Sequence, residues 1–514
     1  MSLEEKITLF EIPGVVLKRV SDGTVLGEVL TLYPKHPQLM VAAALRKSPV
    51  ADFAKINFVD MKSEDPERLE KYGEIPFGDD VLEKLRVGAS FESVRTQIKE
   101  SDVIGITATF TYESKVLGDF ILYVKEINSK AKVVIGGSDA TARPEYYLGS
   151  GADIVMLGKA EVTGPKAIQA LLNGTSLENI SGIAYRDPIS GLIEINPRDK
   201  KDRTDVEKLP LPALDLGLKY NWRQVAEGGL PEGVSEKVGV LETSRGCDEA
   251  CSFCATTFQI GLFRSMSHEK VIENLGHIRE YGTETIIFID DNILYKVKDK
   301  YGGNRGRREL IEMFNYMRKQ GFGWTFYNGI QFGLLEKNDE IDIGLIDAMF
   351  QNNNETRKSG ERYVGAFRAY IPLERLTEEE AKKFKKLKPF EVQDRIIAQI
   401  AMRKPATLNM GFVIGYSHET EDDLREMEKR AFSVKRLVHD ASDGRTGTYF
   451  MPFCLIPIPG TPDYRRTLKE QRFAFDINQH PELMNGYASI IRGDHFSPPE
   501  ITHKRMILSE RLNR

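Results

Sequence analysis

From the N-terminus to about position 195, short runs of aliphatic and β-branched residues alternate with longer amphipathic stretches, the rhythm of parallel strands joined by helical crossovers. Strands are expected at Val25–Leu32, Lys55–Asp60, Val103–Thr107, Lys132–Gly136 and Ile154–Leu157, and helices at Gln38–Arg46, Phe91–Lys99, Lys115–Asn128 and Arg143–Ser150. Ser181–Pro197 then reads as a hairpin about a turn at Pro188–Gly191, and the proline-rich Leu209-Pro-Leu-Pro-Ala213 as an inter-domain linker. A second series of the same kind begins near Val238. Its strands are expected at Gly239–Thr243, Thr285–Asp290, Trp324–Asn328, Arg362–Pro372, Thr407–Ile414 and Thr448–Leu455, with helical segments such as His268–Tyr281, Arg307–Gln320 and Thr420–Leu437 between them.

Five strands with intervening helices predict an α/β, doubly wound domain of the flavodoxin-like (Rossmann-like) kind, whose ligand lies off the carboxyl ends of the strands where the strand order reverses. Six further βα units predict a partial or full TIM-type barrel, with its chemistry at the carboxyl ends of those strands. The chain divides on this reading into residues 1–195, a linker at 196–237, a barrel at 238–463 and a helical C-terminal tail at 464–514.

Hydrophobic residues make up 41% of the 514, enough for several buried cores. Lys and Arg number 71 against 76 Asp and Glu, a net charge of −5, which gives no basic excess for a nucleic-acid partner. The opening MSLEEKITLF has no basic region followed by an apolar one, and no run of about 20 apolar residues occurs, so a cytoplasmic protein without a transmembrane segment is expected. Four cysteines are too few for a disulfide framework, and three of them fall within eight residues, which points to metal chemistry.

Those three stand in Glu242-Thr-Ser-Arg-Gly-Cys247-Asp-Glu-Ala-Cys251-Ser-Phe-Cys254, after an apolar strand and before a helix that starts near Ser267. Cysteines at i, i+4 and i+7 on a loop can curl around one cuboidal iron–sulfur cluster. Three-thiolate ligation leaves one iron open to an external ligand. A zinc knuckle or three incidental core cysteines are the competing readings; zinc sites usually add histidines or a second cysteine pair at set spacing, and none is in place here.

At these residues the chain resembles the radical S-adenosylmethionine (SAM) superfamily, whose signature C-x-x-x-C-x-x-C closes the first barrel strand. The resemblance implies a [4Fe-4S] cluster on Cys247, Cys251 and Cys254 with SAM on its open iron. Phe288-Ile-Asp290-Asp291-Asn292 is similar to the acidic strand end beside the SAM amino group, the bland reading being an exposed acidic turn. Tyr370-Ile-Pro-Leu-Glu374 stands where relatives carry G-x-E-S with a Glu that reaches SAM, with Arg375 in place of Ser. Gly411-Phe-Val-Ile-Gly415-Tyr-Ser-His-Glu419-Thr420 resembles the G-x-P-x-E-T strand and loop, with Ser417 where Pro is common, and reads equally as a strand end followed by a helix cap at Thr420. The implied SAM-binding residues are Asp290, Asp291, Glu374, Gly415 and Glu419.

Pro457-Ile-Pro-Gly460-Thr461-Pro462 resembles the P-x-P-G-T-P segment of one branch of that superfamily, the cobalamin-binding radical SAM enzymes, in which a Rossmann-like domain precedes the barrel. The N-terminal half is similar as well. Asp102-Val-Ile-Gly-Ile-Thr107-Ala-Thr109 matches a strand with a hydroxyl-rich loop, and Gly136-Gly137-Ser-Asp-Ala-Thr141-Ala-Arg-Pro144-Glu145 matches G-G-x-H-A-T-x-x-P-E, with Asp139 where His is usual. Gly158-Lys-Ala-Glu161 resembles G-E-G-E, with Lys159 in place of Glu. Gly136 and Gly137 permit close backbone approach to a large planar ligand, and Thr107, Thr109 and Thr141 offer hydroxyl donors. These five residues are the implied cobalamin contacts. No D-x-H-x-x-G occurs, and His36 reads as a solvated loop histidine, so cobalamin is expected base-off without a protein His ligand.

The resemblance implies a methyltransferase acting on an unactivated carbon or phosphorus centre through a 5′-deoxyadenosyl radical and methylcobalamin. Radical cyclisation, ring contraction or rearrangement with the same cofactors, and a non-catalytic cobalamin or iron–sulfur sensor, are the alternatives. The substrate, a small molecule, lipid or peptide, is not legible, and an electron donor such as flavodoxin or ferredoxin is implied. Cys454 reads as a buried inert thiol. The loop Tyr295–Arg308, with Lys296, Lys298, Lys300, Arg305, Arg307 and Arg308, reads as a solvated charged loop, or alternatively as an anion-binding flap. Tyr327, Tyr363, Tyr370 and Tyr449 fall near strand ends, and nothing singles out one as a proton or hydrogen-atom donor.

Overall fold

The computed structural model describes residues 4–27, 32–199, 204–220, 222, 230–377, 379 and 387–514. The N-terminal sheet is built from β1 (Glu5–Glu11), β2 (Ala54–Asp60), β3 (Val103–Thr107), β4 (Lys132–Gly136), β5 (Ile154–Met156), β6 (Ile183–Arg186) and β7 (Ile193–Asn196). Its strand order is β7-β6-β5-β4-β3-β1-β2. The first five strands are parallel, and β6 and β7 add the expected hairpin antiparallel to β5. The order of the parallel strands reverses between β1 and β3, which is the flavodoxin-like switch point.

The first strand is not the one the hydrophobic pattern nominates. Val25–Leu26 pairs with Gly14–Arg19 in a separate antiparallel sheet, and residues 28–31 of the expected Val25–Leu32 strand lie outside the described residues. The true first strand, EKITLFE, carries charged and hydroxyl side chains that mask it. Its apolar members are buried on both faces of the sheet, Ile7 and Leu9 on one and Phe10 on the other, and the hydroxyl of Thr8 is satisfied by Ser101 Oγ at 2.7 Å. Leu69–Phe77 and Asp80–Val87, both unforeseen, complete the four-stranded antiparallel sheet.

The second half is an open barrel of β8 (Val238–Leu241), β9 (Thr285–Phe288), β10 (Gly323–Phe326), β11 (Gly365–Glu374), β12 (Thr407–Ile414) and β13 (Gly447–Cys454). They lie parallel in sequence order, and β8 and β13 do not pair among the described residues. The expected helices form at His268–Glu280, Asn304–Lys319 and Glu421–Ala441, joined by the unforeseen Ile343–Phe350 and Phe390–Ala401. Thr420 caps the third through a reciprocal box with Asp423. Among the described residues no helix is long and apolar enough to cross a membrane.

The tail is helical only at its ends, Pro462–Lys469 and Pro498–Asn513. Between them an irregular segment lays Ile477, Leu483 and Met484 onto Leu17, Ile75 and Leu82 of the antiparallel sheet. Apolar patterning cannot reveal such a segment, because its contacts are to a distant sheet rather than to its own helical neighbours. The docking includes a buried pair, Lys84 Nζ to Glu482 Oε1 at 3.1 Å, and the Tyr72 hydroxyl donates to the same oxygen at 2.9 Å. Removing the ammonium leaves Glu482 as an uncompensated buried charge. Lys84→Met is expected to cost about 3 kcal/mol of stability, and Lys84→Met with Glu482→Leu to recover most of it, measured as shifts in the thermal unfolding midpoint.

Candidate active site

Immediately after β8 the chain is held by carboxylates as well as by a short antiparallel pairing of Ser244–Arg245 with Arg264–Ser265. Asp290 Oδ1 accepts from the Thr243 amide at 3.1 Å and from the hydroxyls of Thr243 and Ser244 at 2.6 and 2.5 Å. Asp291 Oδ2 accepts from the Gly246 amide at 2.7 Å. Gly246 has φ +87°, and a Cβ there would lie 2.5 Å from the carbonyl oxygens of Gly261 and Leu262, so the turn into Cys247 demands glycine. Cys247, Cys251 and Cys254 then line one cavity with Asp291, Asn328, Tyr370 and Glu374, its open space about 1220 Å³ including the mouth. Among the described residues no group of three or more His, Cys, Asp or Glu side chains is placed to hold a metal ion. A cuboidal cluster binds its thiolates at separate irons and asks instead for thiols spaced around a cavity. Burial pushes the Cys247 thiol up from its ordinary value.

The loop after β9 fastens this arrangement from outside. Lys298 Nζ meets Glu249 Oε1 at 2.9 Å, Lys300 pairs with Asp248, and the hydroxyls of Tyr295 and Tyr301 donate to Glu249 and Asp248. Lys296 pairs with Glu309 and Arg307 with Asp342. The expected solvated charged loop is therefore a strap over the cysteine loop, because the acidic residues between Cys247 and Cys251 draw its lysines in. The Pro457–Pro462 segment closes the opposite side: Gly460 packs against Ala142 and Gln259, and the Asp463 amide donates to the Ser252 carbonyl at 3.0 Å.

A second cavity, with about 1320 Å³ of open space, lies at the carboxyl ends of β1, β3, β4 and β5. It runs down between the sheet and the helices His36–Arg46 and Thr163–Asn173, past Leu9, Met40, Gly105, Val134, Met156 and Ile168. Thr107, Thr109, Gly136, Gly137 and Thr141 all line it. Gly137, at φ +108°, brings its backbone so close to Ala108 that a Cβ would lie 2.3 Å from that carbonyl oxygen. The Thr141 hydroxyl has a structural duty as well, donating to the Gly137 carbonyl at 2.8 Å and accepting from the Gly158 amide at 2.9 Å.

The barrel contributes the far wall through Glu242, Arg245, Gln259 and Asp291, and Asp291 is common to the two cavities. Arg245 is 2% exposed, with bonds of 2.6 and 2.8 Å to Glu242 and of 2.7 Å to Glu161 across the domain boundary. Burial resists ionisation of both carboxyls, yet the guanidinium keeps Glu161 below and Glu242 well below the ordinary range. His36 is not solvated: it starts its helix, lines this cavity and sets Nε2 3.3 Å from Glu242 Oε2, drawn in by that carboxylate. Arg245, Glu242 and Gln259 were not foreseen as site residues. The one available signal was their position directly before and after the cysteine triad.

The implied SAM residues divide. Asp291 and Glu374, the latter at φ +60°, face the cysteine cavity. Asp290 points behind it and serves the loop. Gly415 and Glu419 line neither cavity: Glu419 pairs with the buried Arg375 at 2.5 Å and accepts from the Gly415 amide at 2.6 Å, so this pair braces the end of β12. Cys454 is buried as expected, and burial pushes its thiol up to about 12. Of the tyrosines near strand ends, Tyr370 borders the cysteine cavity, while Tyr363 is buried with its hydroxyl donating to the Ala366 carbonyl at 3.3 Å.

A ligand rich in amide groups suits the second cavity. Buried atoms on its lining lack partners: Gln259 Nε2 and Oε1, Arg245 Nη1 and Glu161 Oε2. Donors and acceptors left together at an apolar, glycine-floored slot match the amide-fringed face of a corrin.

A Rossmann-like domain packed beside an open barrel, with C-x-x-x-C-x-x-C after the first barrel strand, is the architecture this chain shares with solved cobalamin-dependent radical SAM enzymes. Residues 78–168 match the B12 binding domain family. The fold follows the cobalamin-dependent SAM radical enzyme OxsB, solved with aqua-cobalamin and SAM, at a TM-score of 0.67 and 14% identity over 98% of this chain and 66% of that one. The radical SAM methyltransferase TsrM from Kitasatospora setae superposes at 0.59 with 12% identity, over 92% of this chain and 77% of that one. An uncharacterized methyltransferase of Pyrococcus horikoshii is 30% identical over 226 residues, 42% of this chain and 46% of the relative. The cytidylyl-2-hydroxyethylphosphonate methyltransferase of Streptomyces wedmorensis is 29% identical over 299 residues, 54% and 52% of the two chains. The chain thus spans about half the length of these relatives.

Burial pushes Asp290 up to about 7 despite its hydrogen bonds. Between the ordinary carboxyl value and 7, the folded protein holds a proton that the unfolded chain has released, so this group's contribution to stability falls as pH rises through that window. Asp290→Asn is expected to remove that slope, at most about 1.4 kcal/mol per pH unit, read from unfolding midpoints between pH 4 and 8.

Proposed function

We propose that this protein is a cobalamin-dependent radical SAM methyltransferase acting on an unactivated carbon or phosphorus centre of a small-molecule, lipid or peptide substrate. The observation that carries the reading is the meeting of the two cavities at Asp291, one lined by the cysteine triad and the other by the B12-binding domain. The methyltransferase names of the relatives support methyl transfer over rearrangement. We place the enzyme in the cytoplasm, supplied with electrons by a flavodoxin or ferredoxin.

Cys247, Cys251 and Cys254 would hold the [4Fe-4S] cluster, with SAM beside Asp291 and Glu374, and cobalamin would lie over Gly136, Gly137, Thr107, Thr109 and Thr141 under Arg245 and Gln259. Bound there, the three groups supply one-electron cleavage of SAM and a transferable methyl group. The chain's own part is placement. Asp290 and Asp291 fix the cysteine loop, Lys298 and Lys300 neutralise and hold its acidic side chains, and Arg245 keeps the two walls in register. Water is excluded on one flank by the Gly460–Asp463 segment, whose backbone sits against both the cysteine loop and the N-terminal domain.

Anaerobic reconstitution tests this. Wild-type protein is expected to take up iron and sulfide, bind added cobalamin, and release S-adenosylhomocysteine with reductant and SAM; absence of cobalamin binding would remove the methyltransferase reading. Cys251→Ala is expected to lose the iron and all reductive SAM cleavage while its cobalamin affinity, followed by visible absorbance, stays within about twofold of wild type. Because His36 Nε2 is engaged by Glu242, the EPR spectrum of the cob(II)alamin form is expected to lack nitrogen superhyperfine splitting; its presence would show a nitrogen on cobalt, from a histidine or from cobalamin's own base, and overturn the base-off expectation.

A further inference from the structure

Beside the cysteine triad lies a hydroxyl that the reading above does not use. Tyr295, in the turn after β9, is fully buried and held edge to face against Phe263 at 5.4 Å, with Tyr301 stacked beyond it. Its Oη lies 2.6 Å from Glu249 Oε1 and 3.4 Å from Cys247 Sγ. A phenol has one proton to donate, and two acceptors stand within its reach. Glu249 Oε1 is well supplied without it, accepting from Lys298 Nζ at 2.9 Å and from Gln331 Nε2 at 3.3 Å. A Cys247 thiol can itself donate to Oη, whereas a thiolate that ligates iron has no proton and can only accept.

We propose that Tyr295 shares its hydroxyl hydrogen between Glu249 Oε1 and the Cys247 sulfur when that sulfur is a cluster ligand, and so raises the cluster's reduction potential. The inference rests on the assignment of the three cysteines to a [4Fe-4S] cluster. Reduction adds negative charge that is spread onto the thiolates, and a donor aimed at sulfur stabilises the reduced state more than the oxidised one. Burial strengthens that effect. The neighbouring charges do not supply it, because the anions Asp248 and Glu249 are each met by a lysine.

The test is a redox titration of the reconstituted full-length protein without SAM, with the reduced cluster read by EPR. Tyr295→Phe keeps the ring packing and is expected to retain wild-type iron and sulfide. At a given poise its ratio of reduced to oxidised cluster is expected to fall roughly tenfold, a shift of ~59 mV to lower potential for a one-electron couple. Placing 3-fluorotyrosine at position 295, a more acidic phenol of nearly the same size, is expected to move the potential upward. Coincident curves at equal cluster content, or a fluorotyrosine shift in the same direction as that of Phe, overturn the proposal. If Tyr295→Phe alone loses its cluster, the fluorinated protein decides, and an unmoved potential there overturns it. If wild-type protein takes up no iron and sulfide, the cluster assignment itself has failed and this inference with it.

Discussion

A guanidinium can be buried at a domain boundary only if anions answer its charge, and Arg245 is met by one carboxylate from its own strand end and one from the other domain. Such a network adds little net stability over an apolar substitute of the same shape, because desolvation cancels most of the attraction. Removing one member is different in kind, since the remaining charges are stranded, at about 3–5 kcal/mol. What the arrangement secures is register. Arg245 lies two residues before Cys247, so the bond to Glu161 ties the position of the cysteine loop to the N-terminal sheet. The loop itself is then finished by Asp290 and Asp291, which satisfy amides that have left β8 and have no strand partner.

How much of this could be seen in the residues alone follows the range of each interaction. All six barrel strands stood out because each carries an apolar run, buried throughout in the first three and on alternate positions in much of the last two, which needs no knowledge of neighbours. The first strand of the N-terminal sheet did not, because Thr8 is acceptable inside it only through Ser101, a residue far along the chain. Local motifs located the cysteines and the five residues on the floor of the second cavity, where glycine spacing reports directly on backbone geometry. The motif at Gly415–Glu419 reported a strand end and a turn, and the structure gives its glutamate an ion pair that the motif does not show. A buried glutamate is committed by whatever cation it meets, and here that is Arg375, which the sequence places one residue after Glu374 with no sign that it turns back.

The strap over the cysteine loop shows the same dependence on distant partners. Read as sequence, six cations around Gly302-Gly303 look like a surface loop. In the fold, Lys298 and Lys300 neutralise the two acidic residues that follow Cys247. Without those partners, Asp248 and Glu249 would place negative charge beside the cysteine cavity, where it would disfavour reduction of the proposed cluster. The lysines remove that penalty without pointing into the cavity, so the walls nearest the cysteines remain amide, hydroxyl, carboxyl and aromatic. Exposure sets a limit on what they add: Lys300 is largely in water and its pairing is screened, whereas Lys298, lying 3.7 Å over the centre of the Tyr295 ring, is held in a defined place.

Asp291 is where these separate devices meet. Two bulky ligands can act on one substrate only if the partition between their cavities is thin, since reacting atoms must come within contact distance. A short side chain fixed from the adjoining loop makes such a partition: Gly246 donates to one oxygen at 2.7 Å and Thr256 to the other at 3.4 Å. Burial pushes this carboxyl up from its ordinary value, against the hydrogen bond from Gly246 that favours its charged form. A longer side chain at the same place would have to enter one cavity or the other. The same strand end therefore sets both the spacing of the cavities and the charge that faces the cysteine side, while its neighbour Asp290, turned the other way, keeps the loop from which the first cysteine projects.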